Sequence, residues 1–147
     1  MEEKTINTLN DLLKGEQIAV NAYSQFIRDI RDEGIRQELK SMQSDHNKHS
    51  EKISERILEI GGNPVHSTGF AGFMADAKYG LESIKEHSDH EILLEVFQGE
   101  DKGVAAAEKI ADDKLDDKSL KLVHEIMDTD HSHIKNLEQL LHKSRVQ

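Results

Sequence analysis

His46 and His49 stand three residues apart in the stretch SDHNKHSEK, and Asp130 and His133 repeat that spacing 84 residues later. Two single glutamates, Glu16 and Glu100, are separated by the same interval of 84. Side chains at i and i+3 project from one face of a helix, so each pair can offer two ligand atoms to a common point. Imidazole and carboxylate together suit Fe²⁺, Zn²⁺ or Mn²⁺, and the donor set does not choose among them. All six residues are in phase with apolar positions, where a polar side chain has no packing purpose. A buried ionised carboxylate is costly unless it is paired or bound to a metal. The chemistry expected here is therefore metal binding, with Glu–His and Asp–His hydrogen bonding as the bland alternative.

Four helices must position these groups. Apolar residues at a spacing near 3.5 predict helices over about 5–31, 35–60, 89–112 and 117–142. The first has its seam at Leu9, Leu13, Glu16, Val20, Tyr23, Ile27 and Ile30, and DEG breaks it with Gly34 as the stop. The second carries Ile35, Leu39, Met42, His46, His49, Ile53 and Ile60, and GGNP ends it, since glycines and proline do not continue a helix. In the third, Ser88 and Glu91 have capping-box spacing, and the seam is Leu93, Phe97, Glu100, Val104, Ala107 and Ala111. DDKLDDKS makes a solvated turn into the fourth, with Val123, Ile126, Asp130, His133, Leu137 and Leu140. Residues 61–87 are too long for a hairpin loop. They read as a crossover from one end of a bundle to the other, with a short helix within FAGFMADAKYGLESI. The fold expected is an all-α four-helix bundle of one domain spanning 1–147, two antiparallel hairpins joined by that crossover.

The interval of 84 runs through both hairpins without a gap. KGEQIAVNA at 14–22 falls on QGEDKGVAA at 98–106, and Leu39, Met42, His46, His49 and Ile53 fall on Val123, Ile126, Asp130, His133 and Leu137. Two hairpins built alike can pair about a pseudo-twofold axis. Counting about 1.5 Å per residue from the turns puts all six polar seam residues at one level, about 24 Å along the helices.

One glutamate on each of two helices, with a Glu-x-x-His pair on each of the others, is the di-metal pattern of ferritin-like bundles. The chain resembles that superfamily, above all its short rubrerythrin-like members. LNDLLKGEQIAVNAY, GGNP and ILLEVFQGED also resemble an uncharacterised bacterial family of ferritin-like four-helix bundles, known only as a domain of unknown function. The resemblance implies a non-haem, dinuclear iron protein with O₂, peroxide or iron-oxidation chemistry. Glu16 and His49 would cap one metal and Glu100 and His133 the other, with Asp130 bridging and His46 as an added terminal ligand. The sequence departs from the pattern at His46, which stands where a bridging Glu is expected, and at Asp130, a shortened version of the other bridge. Protein-derived charge falls from −4 to −3, which places full di-iron oxidase chemistry in question. Counting Asp130 with Glu100 makes that metal position the more anionic of the two. The rival reading is a metal-free or structural-metal bundle acting as an interaction or stress-related protein.

Around the six, Tyr23 lies one heptad beyond Glu16 and reads either as a core filler or as a hydrogen-bond donor to a ligand. Asp45, His124 and His131 flank the seam and read as surface residues, with support of a metal-ligating residue as the lesser alternative for Asp45 and His131. His66, His87, His90 and His142 read as solvated.

The chain of 147 residues has a net charge of −10, which disfavours nucleic acid and anionic membranes. It has no cysteine, so thiolate metal sites and a rubredoxin-like electron-transfer centre are excluded. No apolar stretch reaches the length of a membrane span, and residues 1–30 lack a signal-peptide pattern, so a cytoplasmic location is expected. Metal ions are the expected partners, and a homodimer is left open. A cage subunit is disfavoured, because the chain stops at HKSRVQ without a further short helix.

Overall fold

A computed structural model describes residues 2–66 and 88–145, in which four α-helices and no strands occur. They are α1 (Glu2–Asp29), α2 (Glu33–Glu59), α3 (Asp89–Ala111) and α4 (Asp117–Arg145). The closest packing is within the hairpins, α1 on α2 and α3 on α4; α1 also meets α3, and α2 meets α4.

The ends of the helices are fixed by side chains that reach between hairpins. Gly34 lies inside the first turn of α2 rather than stopping α1. The break is made instead by Asp32, whose carboxylate accepts from the Ile35 amide at 2.9 Å as the N-cap. Asp89, at the start of α3, accepts from the amides of Arg31 and Asp32, each at 2.9 Å. Arg36 donates to the carbonyls of Ile27 and Ile30, which the end of α1 would otherwise leave unpaired. Ser88 caps α3 by accepting from the Glu91 amide at 3.3 Å. At the opposite end, Arg56 of α2 holds Asp116 at 2.9 Å and Ser119 Oγ at 3.0 Å. Asp116 in turn accepts from the Ser119 amide at 2.8 Å, so this aspartate of DDKLDDKS is a paired helix start rather than a solvated one.

These contacts set the topology. The start of α3 meets the end of α1, and the start of α4 meets the end of α2, so each of those pairs runs antiparallel. The two hairpin turns lie at opposite ends, and the chain between α2 and α3 must travel the length of the bundle. Its first residues do so. Gly61, at φ +88°, and Gly62 close α2 with bonds to the carbonyls of Leu58 (3.1 Å) and Ile57 (2.8 Å), a pattern that needs a left-handed residue and so favours glycine. A side chain at Gly62 would come within 2.7 Å of Ile6. The chain then runs beside α1, pairing Val65 with Asn10 and Gln17. The short helix expected within 70–84 lies outside the described residues.

The core is divided. One apolar cluster, including Tyr23, Phe26, Leu39, Met42, Leu93 and Leu137, fills the end near the first turn. A second, including Leu9, Leu13, Ile53, Ile57, Val123 and Ile126, fills the other. Between them lies a layer of polar side chains, Glu16, His46, His49, Glu100, Asp130 and His133, all buried.

Candidate metal centre

Each of the four helices sends at least one polar side chain into the layer, and all six residues expected there are brought together. His46 is at the centre. Its Nδ1 lies 2.6 Å from Glu16 Oε2 and its Nε2 lies 2.6 Å from Glu100 Oε1. His133 Nδ1 is 3.3 Å from the same Glu100 oxygen. His49 Nδ1 is 3.5 Å from Glu16 Oε2, and Asp130 Oδ1 is 3.8 Å from His133 Nδ1, both too poorly disposed to bond. Ligand atoms of two overlapping quartets lie within 4.8 Å of one another: Glu16, His46, His49 and Asp130, and His46, Glu100, Asp130 and His133.

The two quartets overlap at two residues. His46 belongs to both quartets rather than serving one position only. Asp130 likewise faces both, so charge counted with Glu100 alone does not distinguish the positions.

Electrostatics follow from the contacts. Burial pulls the His46 pKa down, but hydrogen bonds to Glu100 and Glu16 and the charges of both outweigh it and lift the ring to about 11. Burial raises Glu100, yet the bonds from His133 and His46 outweigh it and bring the carboxyl to about 2. Glu16 is held below the ordinary range in the same way, against burial, by His46 and His49. His133 is raised despite burial, chiefly by its bond to Glu100. Asp130 goes the other way. Burial and repulsion from Glu16 and Glu100 push it up to about 7, because no hydrogen bond holds its charged form.

Two further residues act on the layer. Tyr23 donates from its hydroxyl to Glu100 Oε1, on another helix from Glu16, and lies 3.6 Å from Met42 Sδ. Burial and the charge of Glu100 raise this phenol well above its usual range, so it stays a donor. Asp45 is the carboxylate that sequence reasoning left on the surface. Its Oδ2 accepts from His133 Nε2 at 2.8 Å while its side chain remains 35% exposed. That contact fixes which ring nitrogen of His133 faces the layer. Its position, one residue before His46 and about a quarter turn from it, placed it within reach, but only the fold brings α4 to it. His131 and His124 are exposed as expected, as are His66 and His142. His90 instead bonds Ser144 Oγ at 2.7 Å, and His87 lies outside the described residues.

Replacing Asp45 by alanine releases His133. If the layer holds metal, affinity should fall about 10- to 100-fold, the usual effect of losing a carboxylate behind a histidine. Competition against a fluorescent chelator measures it, and unchanged affinity would separate Asp45 from the centre.

Residues 4–114 match the family described as a domain of unknown function (DUF2383). The chain belongs to the DUF2383 family. No curated protein matches this DUF2383 chain in sequence. Among solved structures, it is similar to a dodecameric thioferritin, the bacterioferritin-related protein of Bacteroides fragilis. That likeness has a TM-score of 0.80 at 16% identity and covers 97% of this chain and 87% of that one. It is also similar to a two-domain protein from Anabaena variabilis with DJ-1/ThiJ/PfpI-like and ferritin-like domains. There the TM-score is 0.79 at 13% identity, covering 97% of this chain and 37% of the other. A Dps protein from Vibrio cholerae O1, of a broad superfamily of ferritin-like diiron-carboxylate proteins, gives 0.59 at 18% identity, covering 99% and 89%. These likenesses establish the ferritin-like four-helix bundle for the DUF2383 chain. Among its described residues, no helix is long and apolar enough to cross a membrane.

The donor set suits a divalent ion on two independent observations. Three carboxylates and three imidazoles converge without a lysine or arginine among them. Within the layer, His49 Nδ1 and Asp130 Oδ1 are buried without a hydrogen-bond partner. A buried polar atom left unbonded is costly, and in each quartet such an atom is placed where a cation would use it.

Proposed function

We propose that this protein is a non-haem metal protein of dinuclear type, with iron as the preferred occupant and Zn²⁺ or Mn²⁺ as alternatives. The observation that carries the reading is the pair of quartets sharing His46 and Asp130, with unbonded ligand atoms at His49 and Asp130. Glu16 and His49 serve one position, Glu100 and His133 the other. Asp130 lies between them, and His46 directs one ring nitrogen to each side. A rubrerythrin-like or ferroxidase-like activity toward O₂, peroxide or Fe²⁺ is in keeping with the ferritin-like bundle and with the diiron-carboxylate superfamily of the Vibrio cholerae neighbour. Bound iron would supply one-electron redox chemistry. The chain itself supplies a buried layer, a phenol that donates a hydrogen bond to Glu100 Oε1, and an outer carboxylate that orients His133. We also propose that residues 1–147 form one domain.

The test is metal analysis of protein purified without chelator and reconstituted anaerobically with Fe²⁺, Zn²⁺ or Mn²⁺. One to two ions per chain are expected. Absence of stoichiometric metal would favour the second reading, a metal-free bundle acting through interactions, for which the bonds of His46 to Glu16 and Glu100 are the supporting observation.

The two positions should differ. The pseudo-twofold pairs Tyr23 with Ala107 and Asp45 with Thr129, so among the described residues only the Glu100–His133 side has a phenol and an outer carboxylate. In calorimetric titration with Zn²⁺, two resolved phases are expected, with the Glu100–His133 side filling first. A single phase of two equivalent ions would show the asymmetry to be without effect.

A further inference from the structure

Where α1 and α3 face each other they carry small residues at matched positions. Gly15, Ala19 and Ala22 on α1 correspond to Gly99, Gly103 and Ala106 on α3 through the interval of 84. Glycine weakens a helix interior relative to alanine, so three glycines need a reason. Packing among the described residues is not that reason, because there a Cβ at Gly15, Gly99 or Gly103 would meet nothing within 4 Å. What the small residues leave is a cleft of about 210 Å³ between the two helices. Leu12, Phe26, Val96 and Ile110 are among its apolar walls, and its floor is the polar layer itself, reached at Glu16, His46, Glu100, Asp130 and Tyr23. Asp130 is 3% exposed, and its Oδ1 is unbonded. The cleft therefore leads from exposed glycines to a buried carboxylate oxygen without a partner.

We propose that this cleft binds a small, neutral, predominantly apolar molecule and presents it to the carboxylate–histidine layer. Size follows from volume. A dry cavity of roughly 150 Å³ takes up benzene or xenon, so a single ring or a short alkyl chain fits here. Charge follows from the lining, which among the described residues includes Asp11, Glu16, Glu100 and Asp130 but no lysine or arginine. Anions are repelled. A second copy of the chain is a poorer occupant, since a partner helix could cover the rim but not enter between α1 and α3 to reach Asp130. The proposal relies on the metal reading only for what happens at the floor; binding in the cleft does not require an ion.

Benzene is the probe. It should be titrated into the full chain, chelated and Zn²⁺-loaded, while the methyl resonances of Ala19, Ala22, Val96 and Ala106 are followed by NMR. Saturable shifts confined to these methyls are expected. Gly103→Leu and, independently, Gly99→Leu should weaken binding at least tenfold by filling the cleft, without changing metal stoichiometry. Gly103→Ala, which adds one methyl in open space, should retain binding and raise the melting temperature. No saturable shift in the wild-type chain would overturn the proposal. So would equal affinity in both leucine variants, or a wild-type dimer that refuses benzene and dissociates in Gly103→Leu. Metal content measured on the same samples keeps the two readings separate, because benzene binding with no stoichiometric metal sinks the metal centre alone.

Discussion

The double variant His49→Ala/His133→Ala should lose stoichiometric metal. Each histidine serves one quartet, is buried, and directs a ring nitrogen into the layer. Removing an outer partner of a ligand already costs about 10- to 100-fold in affinity. Removing a ligand outright should cost no less, so a loss of at least about 10-fold is expected at each of the two positions. The single variants should each retain the ion of the intact side, with His133→Ala causing the larger loss because Asp45 then orients nothing. Metal content after gel filtration and competition with a chelator of known affinity measure both effects. His49→Gln/His133→Gln, which keeps more of the side-chain volume, separates loss of ligands from loss of packing. If the double variants hold as much metal as the wild type, the layer is a set of ion pairs and the metal reading fails.

The bundle and the composition of its polar layer were legible because both rest on periodicity. A residue in phase with Leu39 and Ile53 must face the same seam, whatever its chemistry, so spacing alone places His46 and His49. The interval of 84 did the same for Asp130 and His133. Helix ends were read less well. Gly34 invited assignment as a stop because glycine ends many helices, whereas the boundary is set by Asp32 and Arg36 within the first hairpin and by Asp89 from the second. Contacts of that kind depend on which helices become neighbours, and periodicity is silent on that. Asp45 was misread for the same reason. It sits about a quarter turn from His46, its exposure is intermediate, and its partner is 88 residues away. The interior wiring was also hidden. Spacing put His46 beside His49, but that its two nitrogens reach Glu16 and Glu100 on different helices depends on how the hairpins pack.

That wiring decides what His46 does when no ion is present, and it gives the second large effect. Replacing a buried polar residue by leucine stabilises a protein when nothing depends on it, but His46 is clamped between two buried carboxylates. His46→Leu in chelated protein leaves Glu16 and Glu100 without their shared partner, and breaking a buried pair from one side costs about 3–5 kcal/mol. A fall in melting temperature on the order of 10 °C is expected near neutral pH. The pH dependence supplies a sharper test. In the wild type, His46 is lifted from 6.5 to about 11, so its contribution is present below pH 6.5 and lost as pH rises through about 11. Asp130, lifted from 3.8 to about 7, favours the fold while protonated and loses that contribution as pH rises through about 7. Glu100, lowered from 4.5 to about 2, contributes above pH 4.5 and is lost as pH falls toward 2. Chelated wild-type protein should therefore be most stable in mildly acidic solution, weakening toward alkaline pH and below pH 4.5. In His46→Leu the two glutamates have lost the cation that held their pKa values down, and burial now favours their neutral forms. The variant should gain stability steadily as pH falls from 8 to 4.5, closing most of its deficit. His46→Glu carries the comparison into the loaded protein. It restores the carboxylate of the di-metal pattern at a position shared by both quartets, so both zinc affinities should rise while the chelated form loses stability from a third glutamate at the centre. Denaturant unfolding of the three chelated proteins across this pH range, with zinc titration of wild type and His46→Glu, measures every step. If His46→Leu proves as stable as wild type at pH 8, and His46→Glu leaves the zinc affinities unchanged, then His46 neither clamps the glutamates nor touches the metal.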